Sequence, residues 1–396
     1  MIGHRIQWPT TVPALKLTPM DITQTAFGTW NGGRFMNYGQ PLDPDRWIAL
    51  VRQAWERGVR TFLTADVYGG GEADSLLGQA LSGVPRDSYC LVACIGHDFY
   101  SARRDGAKGF PRFTDPRLRI RSEYGSYLRM ATEKSLERCG TDRFDVVLLH
   151  NPDLIGYTDE TVWKELQRLV DVGLTERLGI APGPANGFTL DVIRCLERYG
   201  ALIDWAMVIL GPFEPWPGSL VLPAAQAHDV RVLTRVVDYG GIFHGDILPG
   251  HRFGQGDHRS FRPPGWVEAA VGKLEPLRPI AQRHGLTLLQ FATAWCLAQP
   301  AVRSVIPTLI QEVGEGTRTI ESKVDELAAV RTVAFSAEEL ETIRAVGDNT
   351  GCMALKGANK VHVGDPLPDQ WSLDAELGAV AGRWRIRPEV DLAQTH

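Results

Sequence analysis

The chain has 396 residues, a formal net charge of −5, 44% apolar and 22% charged residues, which is the make-up of a globular enzyme with no basic surface for nucleic acid or an anionic membrane. No apolar run approaches the ~20 residues of a membrane-spanning helix, and Met1–Trp8 lacks the apolar stretch of a secretion signal. Cys90, Cys94, Cys139, Cys195, Cys296 and Cys352 are scattered with no C-x-x-C pair, so buried free thiols in a reduced, cytoplasmic protein are expected.

Short apolar runs alternate with amphipathic stretches along the chain. Asp21–Phe27 reads as a first strand, and Pro44–Arg57 as a helix with Trp47, Leu50, Val51 and Trp55 on one face. Strand Val59–Thr64, helix Ala73–Leu81 and strand Tyr89–Ile95 follow. Then come helix Tyr124–Cys139, strand Asp145–Leu149, helix Glu160–Val172 and strand Arg177–Ile180. Helix Leu190–Tyr199, strand Ala206–Leu210, a short helix Ala224–His228 and strand Arg231–Val237 continue the pattern. Helices Trp266–His284 and Leu288–Ala298 precede a last strand, Val302–Ile306. Eight apolar strands separated by helices predict a parallel sheet covered on both faces, closed as a (β/α)8 TIM barrel. No G-x-G-x-x-G follows the first strand, which argues against a dinucleotide-binding open sheet. The barrel is expected over residues 1–346, with a tail over 347–396 packing on it. A long insert, Phe99–Ser122, follows the third strand.

In such a barrel the chemistry sits at the C-terminal ends of the strands. The segments there are Thr61-Phe62-Leu63-Thr64-Ala65-Asp66-Val67-Tyr68-Gly69 and Leu148-Leu149-His150-Asn151-Pro152-Asp153. Both resemble the active-site signatures of the aldo-keto reductase superfamily, and the resemblance extends over roughly residues 20–346. It implies a catalytic Asp-Tyr-Lys-His set and a nicotinamide cofactor, NADP or NAD. Tyr68 and His150 stand at the Tyr and His positions. Leu63 stands at the Asp position and Ile95 aligns with the Lys. The groups that hold the nicotinamide carboxamide align with Ala181, Pro182 and Met207, and the stacking aromatic with Leu210. The phosphate end is closer to the family: Asp238, Gly240 and Gly241 resemble the loop clasping the pyrophosphate, and Thr308 follows the last strand. Lys323, on a helix resembling the adenosine-binding one, stands ready for a 2′-phosphate or is an exposed helix lysine.

Without the Asp–Lys pair, Tyr68 keeps its ordinary high pKa and acts as a hydrogen-bond donor rather than a base. His150 titrates near neutrality and is the first candidate for proton exchange. Other polar residues cluster at the expected strand ends: Asp66, His97, Asp98 and Asp238. Three acids and two histidines at one mouth suit an acid–base site or a divalent metal, but their spacing carries no metal signature, and none is expected. Trp30, Asp98, Asn151 and Arg235 are candidate substrate contacts, Arg235 joining Lys108 and Arg112 of the insert to receive an anionic or polyhydroxylated compound. His244, His251 and His258 read as solvated loop residues. The tail reads as a specificity element or as a surface wrap.

The reading is an atypical aldo-keto reductase-like oxidoreductase using NAD(P)(H) on a carbonyl or alcohol of a small, sugar-like substrate. The alternatives are a non-redox lyase, isomerase or epimerase using His150 and Tyr68, and a non-catalytic binding protein. Fold alone does not choose between them.

Overall fold

The structure, a computed structural model, describes residues 21–105, 109–183, 188–350 and 371–392. Eight parallel strands lie side by side in chain order: β1 (Ala26–Gly28), β2 (Thr61–Ala65), β3 (Cys90–Ile95), β4 (Phe144–His150), β5 (Thr175–Ala181), β6 (Trp205–Ile209), β7 (Arg231–Arg235) and β8 (Val302–Ile306). Thr25 bridges to Val305, and the Val305 N–H donates to the Gln24 carbonyl at 2.9 Å, closing the sheet into the expected (β/α)8 barrel. β1 is shorter than expected: Thr25 keeps only an isolated bridge to Val305, and Asp21 pairs with Arg177 (2.9 Å) and Arg231.

Alternation along the strands sorts their side chains into two cores. Leu63, Ala65, Val92, Cys94, Leu148 and Met207 fill the barrel interior. Phe62, Leu91, Ala93, Ile95 and Val147 point outward and pack under the helices. The helix layer is amphipathic in the same sense. In α1 (Pro44–Glu56) the Asp43 side chain accepts from Arg46 N–H, Pro44 opens the first turn, and Trp47, Leu50, Val51 and Ala54 are buried. Each large apolar side chain so covered contributes about 1.5–3 kcal/mol.

Helices α2 (Glu72–Leu81), α3 (Tyr124–Cys139), α5 (Glu160–Asp171), α6 (Thr189–Tyr199), α7 (Leu222–Ala227) and α10 (Leu288–Leu297) match the expected ones within a few residues. A short helix between β4 and α5, α4 (Leu154–Thr158), was not expected; the Asp153 side chain caps it by accepting from Gly156 N–H. The single helix expected over 266–284 is two, α8 (Trp266–Leu274) and α9 (Arg278–Arg283). Pro276 and Pro279 lack the amide protons that a continuous helix would use there. After β8 come α11 (Ile320–Ala328) and α12 (Ala337–Gly347).

Gly96 follows β3 where a Cβ would lie 2.3 Å from the His150 carbonyl oxygen, so only glycine lets β3 and β4 run this close into the mouth. The insert then folds back on the rim: Asp98 N–H donates to Pro111 O (2.8 Å) and Phe113 N–H to Gly96 O (3.0 Å). Lys108 lies outside the described residues, as do Cys352 and Pro366–Asp369 of the tail. The described part of the tail lies on the outside of the barrel. Trp371 packs on Phe188 (centroids 4.8 Å apart) and donates to Asp191 at 3.1 Å. α13 (Ala375–Arg383) lies along α6, with Arg383 and Trp384 both meeting Glu197, and α14 (Pro388–Asp391) ends the described chain.

Candidate active site

A cavity of about 380 Å³ opens at the C-terminal ends of the strands. Tyr68, His97, His150, Asn151 and Arg235 of the expected set line it. A second dent of about 310 Å³, between α3 and α5, lies on the outer surface away from the strand ends.

Tyr68 is carried on the turn after β2 and is backed by Trp30, edge-on at 6.5 Å. Trp30 is buried behind Tyr68 and is not among the residues lining the cavity. Burial raises the Tyr68 pKa above its ordinary value, so the phenol is protonated at neutral pH. The inward-facing residue of β3 at this level is Cys94, and it is the Cys94 thiol that adds to the Tyr68 shift. Ile95, the residue aligned with the family lysine, belongs to the outer core. Alternation places the barrel-facing position one residue earlier, and it carries no charge.

His150 ends β4. Its ring lies edge-on to Tyr68 (6.1 Å) and to His97 (4.9 Å), and Nδ1 is buried with no hydrogen-bond partner. Burial, then the neighbouring His97 and Arg112, push its pKa well below the usual histidine range, so it is a neutral imidazole. His97 is held at both ends. Nδ1–H donates to Phe110 O at 2.9 Å, which leaves Nε2 to accept from Asn151 Nδ2 at 3.0 Å. Burial and the Arg112 charge bring its pKa down to about 3. Both ring nitrogens of His97 are thus engaged, one by Phe110 and one by Asn151. Asn151 sits in the left-handed region (φ 45°), which Asn tolerates better than most residues. Its carbonyl accepts from Arg112 Nε.

The three acids do not join the histidines. Asp66 falls on the outward parity of β2, next to Asp74 and Arg138 of the helix layer. Burial and the Asp74 charge raise its pKa well above the carboxylate range. Asp98 turns away from the cavity to cap the insert, accepting from Ser101 N–H at 2.9 Å and pairing with half-buried Arg119. Asp238 is fully buried beneath the β7 loop, where it accepts from Thr308 N–H (2.6 Å) and Gly241 N–H (2.8 Å). Among the described residues no group of three or more His, Cys, Asp or Glu side chains is arranged to hold a metal ion.

The residues expected around a cofactor divide into two groups. At the ring end, Tyr68, His150 and Arg235 surround open space, so the cavity fits a small planar group, although Ala181 and Pro182 offer it no side-chain donor. At the phosphate end, the groups expected to meet a dinucleotide meet each other instead. Asp238, Thr308 and Gly241 form the tie just described, and Gly240 gives its carbonyl to Arg259 at 3.1 Å. Lys323 is fully buried, paired with Asp246, and its ammonium donates to Ile310 O at 2.5 Å. It is neither a free phosphate contact nor an exposed helix lysine. The loop after β8 is pulled onto the barrel by Gly32 N–H to Leu309 O (3.0 Å) and Gln40 N–H to Gln311 O (2.8 Å). As arranged here, the Asp238 carboxylate, the Gly240 carbonyl and the Lys323 ammonium are engaged within the protein.

Tyr38, Met36, Phe110, Arg104, His258 and Arg262 also line the cavity. They come from loops with no periodic pattern, and only the return of those loops over the mouth reveals them. His244 is buried and bonds Thr308 O at 2.9 Å, so it is not the solvated loop histidine expected.

The aldo/keto reductase family model matches residues 25–348. Relatives include a probable voltage-gated potassium channel subunit beta of Oryza sativa subsp. japonica, 25% identical over 300 residues, covering 74% of this chain and 84% of that protein. A 6-dehydroglucose reductase of Agrobacterium fabrum is 23% identical over 306 residues, covering 73% of this chain and 84% of that protein. Among solved structures, a glycerol dehydrogenase from Gluconobacter oxydans superposes with a TM-score of 0.65 at 22% identity, covering 85% of this chain and 94% of that one. An aldo/keto reductase from Klebsiella pneumoniae in complex with NADP and acetate gives 0.55 at 21% identity, covering 82% and 90%. These structures speak for the shared barrel. The chain belongs to the aldo/keto reductase family, a family of NAD(P)-dependent oxidoreductases.

Proposed function

We propose that the protein is an atypical aldo-keto reductase that interconverts a carbonyl and an alcohol on a small polar, sugar-like substrate in the mouth cavity. The observation that carries this reading is that Tyr68 and His150 face one cavity at the C-terminal ends of the strands. Tyr68 holds its proton and donates a hydrogen bond to the carbonyl oxygen, where negative charge develops. His150, a neutral imidazole against the Tyr68 ring, offers a second polar group to the same oxygen. Asn151, fixed by His97, orients the substrate. A nicotinamide cofactor, NADP or NAD, would supply the hydride, and Tyr68 and His150 are the residues that would face its ring across the substrate carbonyl. The relatives named as reductases and dehydrogenases support this direction of chemistry. We take residues 1–346 as the barrel, 347–396 as a tail on its surface, and the cytoplasm as its place; the five described cysteines are free and buried, as suits a reducing compartment. Among the described residues no helix is long and apolar enough to cross a membrane.

A non-redox lyase, isomerase or epimerase is the second reading. What favours it is the tie among Asp238, Thr308 and Gly241 together with the buried Lys323–Asp246 pair, which leave the expected phosphate contacts engaged. In that case His150 takes a proton next to a carbonyl and Tyr68 steadies the enolate. A screen of carbonyl compounds with NADPH and NADH tests the first reading. Solvent-deuterium incorporation into substrate without cofactor would favour the second.

A further inference from the structure

Arg235 closes β7 and lines the same cavity as Tyr68. Nη2 donates to the carbonyls of Pro182 (3.1 Å) and Gly183 (3.3 Å), and Nε is shut off from solvent without a partner. Both of its acceptors are neutral. Four other arginines with largely covered side chains each meet a carboxylate: Arg262 with Glu214 at 3.1 Å, Arg259 with Asp257 at 2.8 Å, Arg138 with Asp74 at 2.9 Å, Arg194 with Asp191 at 2.6 Å. Among the described residues Arg235 has no carboxylate, and no Asp or Glu lines the cavity, whereas Arg104, Arg262 and His258 add positive or titratable groups to its rim.

A cation withdrawn from water without a counter-charge is costly, and a guanidinium is matched by a planar or multi-oxygen anion taking two N–H bonds. We infer that the substrate carries an anionic oxygen group, a carboxylate or a phosphate, which Arg235 receives while the carbonyl of the same molecule lies at Tyr68. This rests on the reading of the cavity as the substrate site and narrows its substrate class. Burial also lowers the Arg235 pKa from its ordinary value, but at any physiological pH the group stays charged. Arg235 is a specificity-determining residue here.

The test is calorimetric titration of the full chain, without cofactor, with 4-oxopentanoate and with 2-pentanone, its neutral match. The oxo acid should bind at least about tenfold more tightly, the scale of one charge-assisted pair. Arg235→Met should erase the difference, and Arg235→Lys should keep part of it. Equal affinities in the unaltered protein would overturn the inference, as would a preference that survives in a folded Arg235→Met protein. If that variant does not fold, competition decides: inorganic phosphate or acetate should displace 4-oxopentanoate from the unaltered protein, and failure of both to compete overturns the inference. Displacement by phosphate but not by acetate assigns a phosphate, and the reverse a carboxylate. Arg235-dependent anion binding with no NAD(P)H-dependent turnover would sink the reductase reading and leave this one standing.

Discussion

The imidazole of His150 meets the phenol ring of Tyr68 edge-on, with centroids 6.1 Å apart and planes at 84°. Both rings line one cavity, and burial keeps both neutral. The pair therefore acts by hydrogen bonding to a reacting oxygen rather than by charge. Tyr68→Phe should lower turnover by about 10²–10³-fold, as removal of one such donor does, with a melting temperature close to that of the unaltered protein. His150→Ala should lower it by about 10²-fold. Steady-state kinetics on any accepted substrate checks this; full activity in both variants contradicts the site.

Cys94, not Ile95, shares the barrel interior with Leu63. Restoring the family's charged pair therefore needs Leu63→Asp with Cys94→Lys, and that double variant should gain carbonyl reduction. Ile95→Lys would push an ammonium into the outer core and should cost several kcal/mol of stability. Denaturant melts and a reduction assay separate the two. A gain from Leu63→Asp with Ile95→Lys would contradict the inward parity of Cys94.

Lys323 is fully buried against Asp246. Lys323→Met should leave that carboxylate unpaired and destabilise the fold by about 3–5 kcal/mol. It should not change the ratio of NADPH to NADH affinity. A selective loss of NADPH binding in a stable Lys323→Met protein would restore the phosphate role.

Asp238 has its pKa raised by burial from 3.8 to about 6. Between those values the folded protein holds a proton that the unfolded chain has lost, so this group's contribution to stability falls as pH rises through about 6. Asp238→Asn keeps one acceptor for two amides, Thr308 and Gly241, and should cost about 1–3 kcal/mol. Being neutral, the variant should escape the pH-dependent loss, so its deficit should shrink by on the order of 1 kcal/mol between pH 5 and 8. Denaturant melts at the two pH values check this, and a constant deficit contradicts the assignment.

Much of the fold was legible in the residues. The alternation of apolar strands with amphipathic helices gives the barrel, and the segments around Tyr68 and His150 mark its mouth. What was not legible is parity and long-range pairing. One residue of offset at the end of β3 moves the barrel-facing position from Ile95 to Cys94, and the same alternation turns Asp66 to the helix layer. Asp238 meets Thr308, and Arg259 meets Glu312, across gaps in sequence that no local pattern encodes. Polar residues that read as a site were therefore partly the ties that hold its loops.

In a reductase of this design a nicotinamide ring works beside Tyr68 and His150. Titration of the purified protein with NADPH and NADH, followed by calorimetry or by quenching of its eleven tryptophans, tests it most directly. Saturable binding at roughly micromolar cofactor, about −8 kcal/mol, is expected. No binding at roughly millimolar cofactor, weaker than about −4 kcal/mol, would contradict it and leave the non-redox reading of the same cavity.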